Sequence, residues 1–412
     1  MKTVSISLSP NTEKDDVLLS FKELFSFSKK EGKAIKEFED NFKKHFGFNS
    51  VFSLNSGRSS LLVILEALDI EEGDEIIVQA FTCNAVINPI IQKKAKPVYV
   101  DIDDTLNMDA FKIEEKISKR TKAIIIQHTF GMPANIKTIK EILDKHHLIL
   151  IEDCAHALGA KYNNKYCGTF GDVSFFSFGR DKVISSVYGG MIAVNNASFK
   201  DKIKRKYSKL SYPKTSWINQ QLMHPIIMNL FVLPLYNFLN IGKAILALSI
   251  KLKILSKAVS KGEYEGYLPE YFPKKLPNSL AKLANNQFNK LNRFNSHRRE
   301  VSKYYKENIG GLFRINDDAV YMKYPILVNN SDEIVNEFAK FNIILEDGWR
   351  KKVIAPPKTN LCRMNYEKGE CPKAEEISNR ILILPTHINI TKDIAEKIIY
   401  LFESFNDKGS LE

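Results

Sequence analysis

Cysteine is scarce in this sequence, and its spacing is unlike that of disulfide-rich or zinc-binding proteins. The five cysteines are scattered and odd in number: Cys83, Cys154, Cys167, Cys362 and Cys371. Disulfide frameworks and structural zinc sites use closely spaced ligands, so we predict reduced cysteines and no metal site. The first sixteen residues also lack the apolar core of a signal peptide, and we therefore expect a cytoplasmic protein.

Acidic residues are nearly missing from one segment. Between Lys200 and Lys261 there are twelve basic residues and a single acid, Asp201, while the whole chain carries a net charge of +12. A nucleic-acid-binding protein spreads its basic residues over a binding face, with aromatic side chains between them. Here the charge flanks an apolar stretch instead, so we predict no nucleic-acid partner.

Strands and helices alternate through the first two hundred residues. Examples are the successive segments "DEIIVQAF", "NAVINPIIQKK" and "KPVYVDID". This alternation is typical of an α/β domain with a mainly parallel sheet. We also predict a helix at "DAFKIEEKI" and one long amphipathic helix at "SLAKLANNQFNKLNRFNSHRREVSKYYKENI", followed by a smaller α+β domain.

Three groups of polar residues follow predicted strands, where ligands bind in open α/β sheets. In "SLNSGRSSLL", Gly57 and Ser59 begin a helix whose free N–H groups suit an anion. An ordinary serine cap is the alternative reading.

The second and third groups contain ionisable side chains. In "LILIEDCAHALGA", Asp153 ends a buried strand and His156 follows; in "SFFSFGRDKVISSVYGG", Lys182 comes five residues after Ser177. A carboxylate at the mouth of a buried strand needs a partner. The alternatives are a capped strand end, a hydrogen-bonded structural histidine and a solvated lysine.

Together the three groups suit pyridoxal 5'-phosphate (PLP). The lysine amine can form a Schiff base with the PLP aldehyde, and the aspartate can keep the pyridine nitrogen protonated. The released lysine can then move the proton between the substrate and the cofactor.

The order of the blocks resembles the DegT/DnrJ/StrS nucleotide-sugar aminotransferases, which belong to the fold-type I PLP enzymes. The resemblance covers most of residues 30–200 and 275–405, through "NSGRSSLL", "EDCAHALGA", "FSFGRDKVISSVYGG" and "CPKAEEISNRILILPTHINIT". It implies a large α/β domain, a small C-terminal α+β domain and a homodimer with its active sites at the interface.

The resemblance also implies roles for individual residues. Lys182 is the Schiff-base lysine, Asp153 the pyridinium partner, and His156 lies near the ring hydroxyl. The related sugar dehydratases carry histidine in place of this lysine. The positions implied for the phosphate are Gly57, Arg58, Ser59 and Ser177.

Three positions depart from the family pattern. Arg58 replaces a small threonine, so it either binds phosphate or points outward. Cys83 stands where an aromatic ring usually stacks on the cofactor, and Pro273 replaces an asparagine that reaches the partner's phosphate. These changes affect the expected substrate more than the expected cofactor.

The chain is about forty residues longer than the family pattern between Gly190 and residue 275. We predict three units: residues 1–203, the PLP-binding domain; 204–262, a helical apolar and basic insertion; and 263–412, the interdomain helix and small domain. Within residues 217–258, lysines alternate with apolar faces, as in helices that lie on anionic membranes. The alternative is a helical pair buried in a dimer interface or over the active site.

The sequence therefore predicts a PLP-dependent aminotransferase that moves an amino group from glutamate to a nucleotide-linked keto-sugar, for surface polysaccharide or glycolipid synthesis. We expect it to bind peripherally at the inner membrane face. One alternative is a PLP enzyme acting on a lipid-linked or other non-nucleotide substrate. Another is a non-catalytic membrane-associated scaffold of the same fold.

Overall fold

A seven-stranded sheet forms the centre of the protein, whose computed structural model describes residues 3–309, 318–346 and 348–406. The strands are β1 Ser50–Leu54, β2 Glu75–Gln79, β3 Lys96–Val100, β4 Thr121–Gln127, β5 Ile149–Asp153, β6 Val173–Ser177 and β7 Gly190–Val194. Their order across the sheet is β1-β7-β6-β5-β4-β2-β3. Only β7 runs antiparallel to its neighbours, β1 and β6, so the prediction of a mainly parallel sheet is confirmed.

Helices pack against this sheet and continue into the C-terminal part. They are α1 Lys14–Leu24, α2 Lys33–Phe46, α3 Gly57–Ala67, α4 Asn84–Gln92, α5 Ile136–His146, α6 Lys200–Ser208, α7 Thr215–Ile227, α8 Leu233–Leu235, α9 Ile241–Lys251, α10 Asn278–Phe288, α11 Leu291–Ile309, α12 Ser331–Lys340, α13 Pro372–Arg380 and α14 Lys392–Asn406. Because the parallel strands are covered on both faces, they are apolar rather than alternating.

Aromatic residues of α2 show how a helix is fixed to the sheet. Phe38 and Phe42 are fully buried, and their rings lie 5.2 and 5.0 Å from those of Phe178 and Phe176, respectively. The helix ends at Gly47, whose φ of +76° favours glycine. The buried aromatic face of α2 thus fixes this helix against the sheet.

The C-terminal part is a smaller α+β unit. Its strands, β8 Lys323–Leu327 and β9 Ile381–Pro385, pair antiparallel and lie with α12, α13 and α14. A short pair of strands joins it to the main domain: Ile354–Ala355 runs parallel to Thr82–Cys83. Two further two-residue pairs are Val4–Ser5 with Ile343–Ile344, and Lys161–Tyr162 with Lys165–Tyr166. The division of the chain at 203 and 262 stays a prediction.

Two local predictions were wrong. "DAFKIEEKI" forms two single 3₁₀ turns, Ala110–Lys112 and Glu114–Lys116, because only Ala110 and Ile113 are buried and so little packing offsets the cost of starting an α-helix. The long amphipathic helix is two helices, α10 and α11. It breaks at residues 289–290, where Lys290 turns to the acidic side chains at the start of α1.

The predicted insertion is helical. It contains α7, a π-helical turn at Met228–Val232, α8 and α9, and these elements share a small apolar core of their own. Gly242 is needed there, since a Cβ atom at this position would lie 2.3 Å from the carbonyl oxygen of Val232. Within the residues described, no helix has the length and apolar character required to span a bilayer.

Candidate active site

A cavity of about 220 Å³ opens at the carboxyl ends of β1, β5 and β6. Seven of the eight predicted site residues line it: Gly57, Arg58, Cys83, Asp153, His156, Ser177 and Lys182. Ser59 is buried beside it and does not line the cavity. Parallel strands that lie side by side end at the same edge of the sheet, which is why motifs far apart in sequence meet here.

Lys182 lies in a turn just beyond β6. Its amine nitrogen is 3.0 Å from Nε2 of His156. Its own carbonyl oxygen accepts a hydrogen bond from Asn11 at 2.5 Å, and Asn11 in turn accepts one from Arg298 at 2.7 Å. Arg298 is fully buried and also donates to the carbonyl of Val183 at 2.9 Å. The lysine backbone is therefore held by the N-terminal segment and α11 together.

The two acids that end β5 have different surroundings. Glu152 is fully buried and accepts backbone N–H bonds from Gly168, Phe170 and Gly171 at 2.6–2.7 Å, so it fixes the chain locally. Asp153 accepts one backbone bond, from Ala155 to Oδ1 at 2.9 Å. Its other carboxylate oxygen has no hydrogen-bond partner among the described residues.

Burial raises the pKa of Asp153 to about 6, although the charges of Lys182 and His128 act in the opposite direction. The carboxyl is therefore ionised at neutral pH but easily neutralised in mild acid.

His156 is a neutral imidazole between two aromatic rings. Its ring stacks on Phe130 at 5.6 Å and meets Trp349 edge-on at 5.2 Å. Burial, together with the positive charges of Lys182 and Lys323, holds the pKa of His156 well below its ordinary value. Nδ1 accepts a bond from the Phe130 N–H at 3.4 Å, so in the neutral ring Nε2 carries the proton and can donate to Nζ of Lys182 only when that amine is unprotonated.

The first turn of α3 forms another wall. Ser56 caps the helix by accepting the N–H of Ser59 at 3.0 Å, and the Ser59 hydroxyl donates to Asn55 at 2.7 Å. A Cβ atom on Gly57 would lie 3.1 Å from Cβ of Ser177. Glycine therefore keeps the space between the helix N-terminus and the Ser177 hydroxyl open.

Two of the three departures from the family pattern, Arg58 and Cys83, line the cavity, whereas Pro273 does not. Arg58 does not point outward: its Nε is 2.6 Å from the buried carboxylate of Glu263, its Nη2 donates to Ala258 O at 3.1 Å, and it lies over Phe272. Cys83 is half-buried, lines the cavity and caps α4. Burial raises the pKa of its thiol.

Several cavity residues were missed from the sequence. Asp181 lies between Lys182, at 3.9 Å, and the buried Lys323 of β8, at 3.3 Å. Trp349 also lines the cavity, whereas Arg350 turns away to Asp332 and Glu346. Arg180 and Asp181 could have been suspected from their places beside Lys182; Lys323 and Trp349 come from distant segments and had no local signal.

The residues present fit PLP. The unpartnered oxygen of Asp153 faces a cavity that also contains a lysine amine, as a protonated pyridine nitrogen and an aldehyde require. The N-terminus of α3, with the space kept open by Gly57 and the Ser177 hydroxyl, suits a phosphate.

Comparison with known proteins agrees with this geometry. Residues 20–224 and 250–403 match the model of the DegT/DnrJ/EryC1/StrS aminotransferase family, and residues 225–249 of the insertion lie between the two matched segments. The chain is 29% identical to GDP-perosamine synthase of Escherichia coli O157:H7, over 91% of this chain and 90% of that protein. It is 28% identical to dTDP-3-amino-3,6-dideoxy-alpha-D-galactopyranose transaminase of Aneurinibacillus thermoaerophilus, over 89% of each.

Solved structures share the fold. Spr1654 from Streptococcus pneumoniae in its PLP form has a TM-score of 0.73 at 21% identity, over 97% of this chain and 98% of that one. Helicobacter pylori PseC, an aminotransferase involved in the biosynthesis of pseudoaminic acid, has a TM-score of 0.72 at 20% identity, over 99% and 100%. The protein thus has the fold-type I architecture. The chain belongs to the DegT/DnrJ/EryC1/StrS aminotransferase family and is a PLP-dependent aminotransferase.

Proposed function

We propose that this enzyme transfers an amino group from glutamate to a nucleotide-linked keto-sugar, in the synthesis of a surface polysaccharide or glycolipid. The names of the relatives support this substrate class, since they include synthases and transaminases of GDP- and dTDP-linked amino sugars. The observation that carries the proposal is that the Lys182 amine and the unpartnered Asp153 oxygen face one cavity.

The roles of the residues follow from their positions. When bound, PLP accepts the electron pair released at the substrate carbon that exchanges its proton. Lys182 would hold the cofactor covalently and then carry the proton at its Nζ. Asp153 would keep the pyridine nitrogen protonated, and the neutral His156 orients Nζ through Nε2.

The test uses Lys182→Ala and, as a matched control, Lys36→Ala on the exposed face of α2. Wild type and the control should change their visible absorbance when glutamate is added, and then convert nucleotide-linked keto-sugars to products of the amino-sugar mass. Lys182→Ala should do neither. If purified Lys182→Ala transaminates at the wild-type rate, the assignment of this lysine is wrong.

A lipid-linked keto-sugar is the alternative substrate, because the end of the insertion reaches the cavity at Ala258 and Val259. A keto-sugar attached to a lipid could then approach from the insertion side. Offering matched nucleotide-linked and lipid-linked keto-sugars separates the two: product from the lipid-linked sugar alone would replace our proposal with this one.

We also propose that the insertion binds anionic membranes peripherally. Apolar side chains are exposed along it, among them Phe238, Leu239 and Leu248. Lys243, Lys251, Lys253 and Lys257 are exposed nearby, and the sequence contains no acid between Asp201 and Glu263. Four lysines near an acidic leaflet contribute about 4 kcal/mol of binding in addition to apolar insertion.

Flotation with vesicles tests the membrane proposal. Wild type should float with vesicles rich in phosphatidylserine and not with pure phosphatidylcholine. Reversing Lys243, Lys251 and Lys253 to Glu should abolish flotation. Reversing three exposed lysines of α2, Lys33, Lys43 and Lys44, changes the net charge equally and should leave it intact. Equal loss in both triple variants would show a general charge effect and contradict the proposal.

We further propose that the enzyme is a homodimer, on the basis of the family resemblance. Sedimentation of the purified protein at micromolar concentration should give a mass close to twice the 47.1 kDa of the chain. A monomer at that concentration would contradict it.

A further inference from the structure

Arg180, two residues before Lys182, is a cation of the cavity that forms no ion pair with any carboxylate of the described residues. Its Nη1 donates to the carbonyl of Ser256 at 2.8 Å and its Nη2 to the Ser256 hydroxyl at 2.5 Å. The guanidinium also lies over the ring of Tyr188, at 5.4 Å. Its Nε is covered and has no hydrogen-bond partner, and within the described parts of the chain no carboxylate forms an ion pair with it.

Two neighbouring cations have acidic partners. Arg58 pairs with Glu263, and Lys323 pairs with Asp181. A covered guanidinium held only by neutral groups is costly unless an anion approaches it. Arg180 therefore places a positive charge and free N–H donors at the wall of the cavity.

The insertion holds this arginine in place. The Ser256 hydroxyl that accepts from Arg180 itself donates to Oε1 of Gln221 on α7, at 2.9 Å. The hydroxyl of Tyr188 donates to the carbonyl of Lys257 at 2.8 Å. The segment after α9 is thus fastened to the cofactor-binding domain, and it fixes the direction of the guanidinium.

We propose that Arg180 is a phosphate-binding residue of the active site and that the insertion positions it through Ser256. Arginine presents parallel N–H groups that match phosphate oxygens, and the N-terminus of α3 and Ser177 line the same cavity. The phosphate has two possible sources: that of PLP, or the diphosphate of a nucleotide-linked substrate. The second source rests on the proposed function; the first does not.

The experiment compares ligands with and without phosphate, using full-length protein. Arg180→Met removes the charge, and Arg205→Met, on the exposed face of α6, is the matched control. PLP and pyridoxal are titrated into cofactor-free protein by absorbance. In the reconstituted enzyme, KM is measured for a nucleotide-linked keto-sugar, the same sugar without phosphate, and glutamate.

Two results support the proposal and identify the source. If the cofactor phosphate binds here, Arg180→Met weakens PLP about 10- to 100-fold, the loss expected for a charge-assisted hydrogen bond, and pyridoxal less than about twofold. If the substrate phosphates bind here, KM for the nucleotide-linked sugar rises by a similar factor, while KM for glutamate stays unchanged. Ser256→Ala should give a weaker change of the same pattern.

Equal effects on the phosphorylated and unphosphorylated members of both pairs, or no effect, would overturn the proposal. Should Arg180→Met not fold, Arg180→Lys is measured in the same way. Arg180→Lys retains the positive charge but cannot form two parallel hydrogen bonds. If both Arg180→Lys and Ser256→Ala keep the wild-type preference for phosphorylated ligands, the proposal is wrong. The PLP titration needs no sugar, so its outcome is independent of the substrate class.

Discussion

The carboxyl that serves the cofactor should make the cofactor-free protein less stable. Asp153 is buried, and one of its oxygens has no hydrogen-bond partner among the described residues. Asparagine has nearly the same shape, can still accept the Ala155 N–H bond and carries no charge. We therefore expect Asp153→Asn to stabilise the cofactor-free protein at neutral pH while it impairs transamination.

The size and sign follow from the pKa. Burial raises the pKa of Asp153 from 3.8 to about 6 in the folded protein. Between those values the folded state holds a proton that the unfolded state has lost, so stability falls as the pH rises from about 4 to about 6. Two pH units correspond to about 3 kcal/mol, which is the full cost above pH 6 and is absent below pH 4. Asp153→Asn removes this cost.

Urea denaturation of the cofactor-free wild type and Asp153→Asn at pH 7.5 and pH 4.5 measures this free-energy cost. The stability gain of Asp153→Asn should approach about 3 kcal/mol at pH 7.5 and fall to about 1 kcal/mol at pH 4.5. Asp181→Asn is the control of opposite sign. Although burial opposes its charge, Lys182 and Lys323 hold the pKa of Asp181 well below its ordinary value. That variant should lose stability at both pH values. A gain for Asp153→Asn that is the same at both pH values would refute this account of the site.

Two further substitutions test how the site and the insertion are held. Arg298→Met removes the donor that fixes Asn11 and, through Asn11, the backbone of Lys182. In steady-state kinetics we expect kcat to fall about 10- to 100-fold, while KM for glutamate stays within about twofold of wild type. Gly242→Ala places a Cβ atom 2.3 Å from the Val232 carbonyl oxygen; we expect a loss of about 1–3 kcal/mol in urea denaturation and faster proteolysis between residues 228 and 260.

The parts of the site that could be predicted depend on local order along the chain. β5 and β6 are parallel neighbours, so Asp153 at the end of β5 and Lys182 in the turn after β6 must meet at one edge of the sheet. The turn at Gly57 enters the same edge through β1. Strand ends, a helix start and charged side chains are visible in sequence, and these were sufficient to predict the cofactor.

The rest depends on contacts between distant segments. Lys323 reaches Asp181 from the small domain, and Ser256 reaches Arg180 from the insertion, across 142 and 76 residues of sequence. No local pattern marks such pairs, because a lysine in a strand and a serine in a loop are ordinary residues. The break between α10 and α11 was missed for a similar reason: Lys290 pairs with acids of α1, which was itself not predicted.

The insertion has two chemically separate sides, and this separation can be tested. The hydrogen bonds of Ser256 and Lys257 face the active site, whereas the side chains of Lys243 and Lys251 point to solvent on α9. Membrane binding should depend on apolar area and on charge. Salt screens the charge interactions over about 10 Å at 0.1 M, whereas the contacts of Arg180 are short and covered. Reversal of Lys243, Lys251 and Lys253 should therefore abolish flotation and leave PLP affinity within about twofold. Ser256→Ala should weaken phosphate binding and leave flotation intact. If either change moved both readouts together, the two sides would be one mechanically coupled unit, and the membrane and phosphate roles could not be separate.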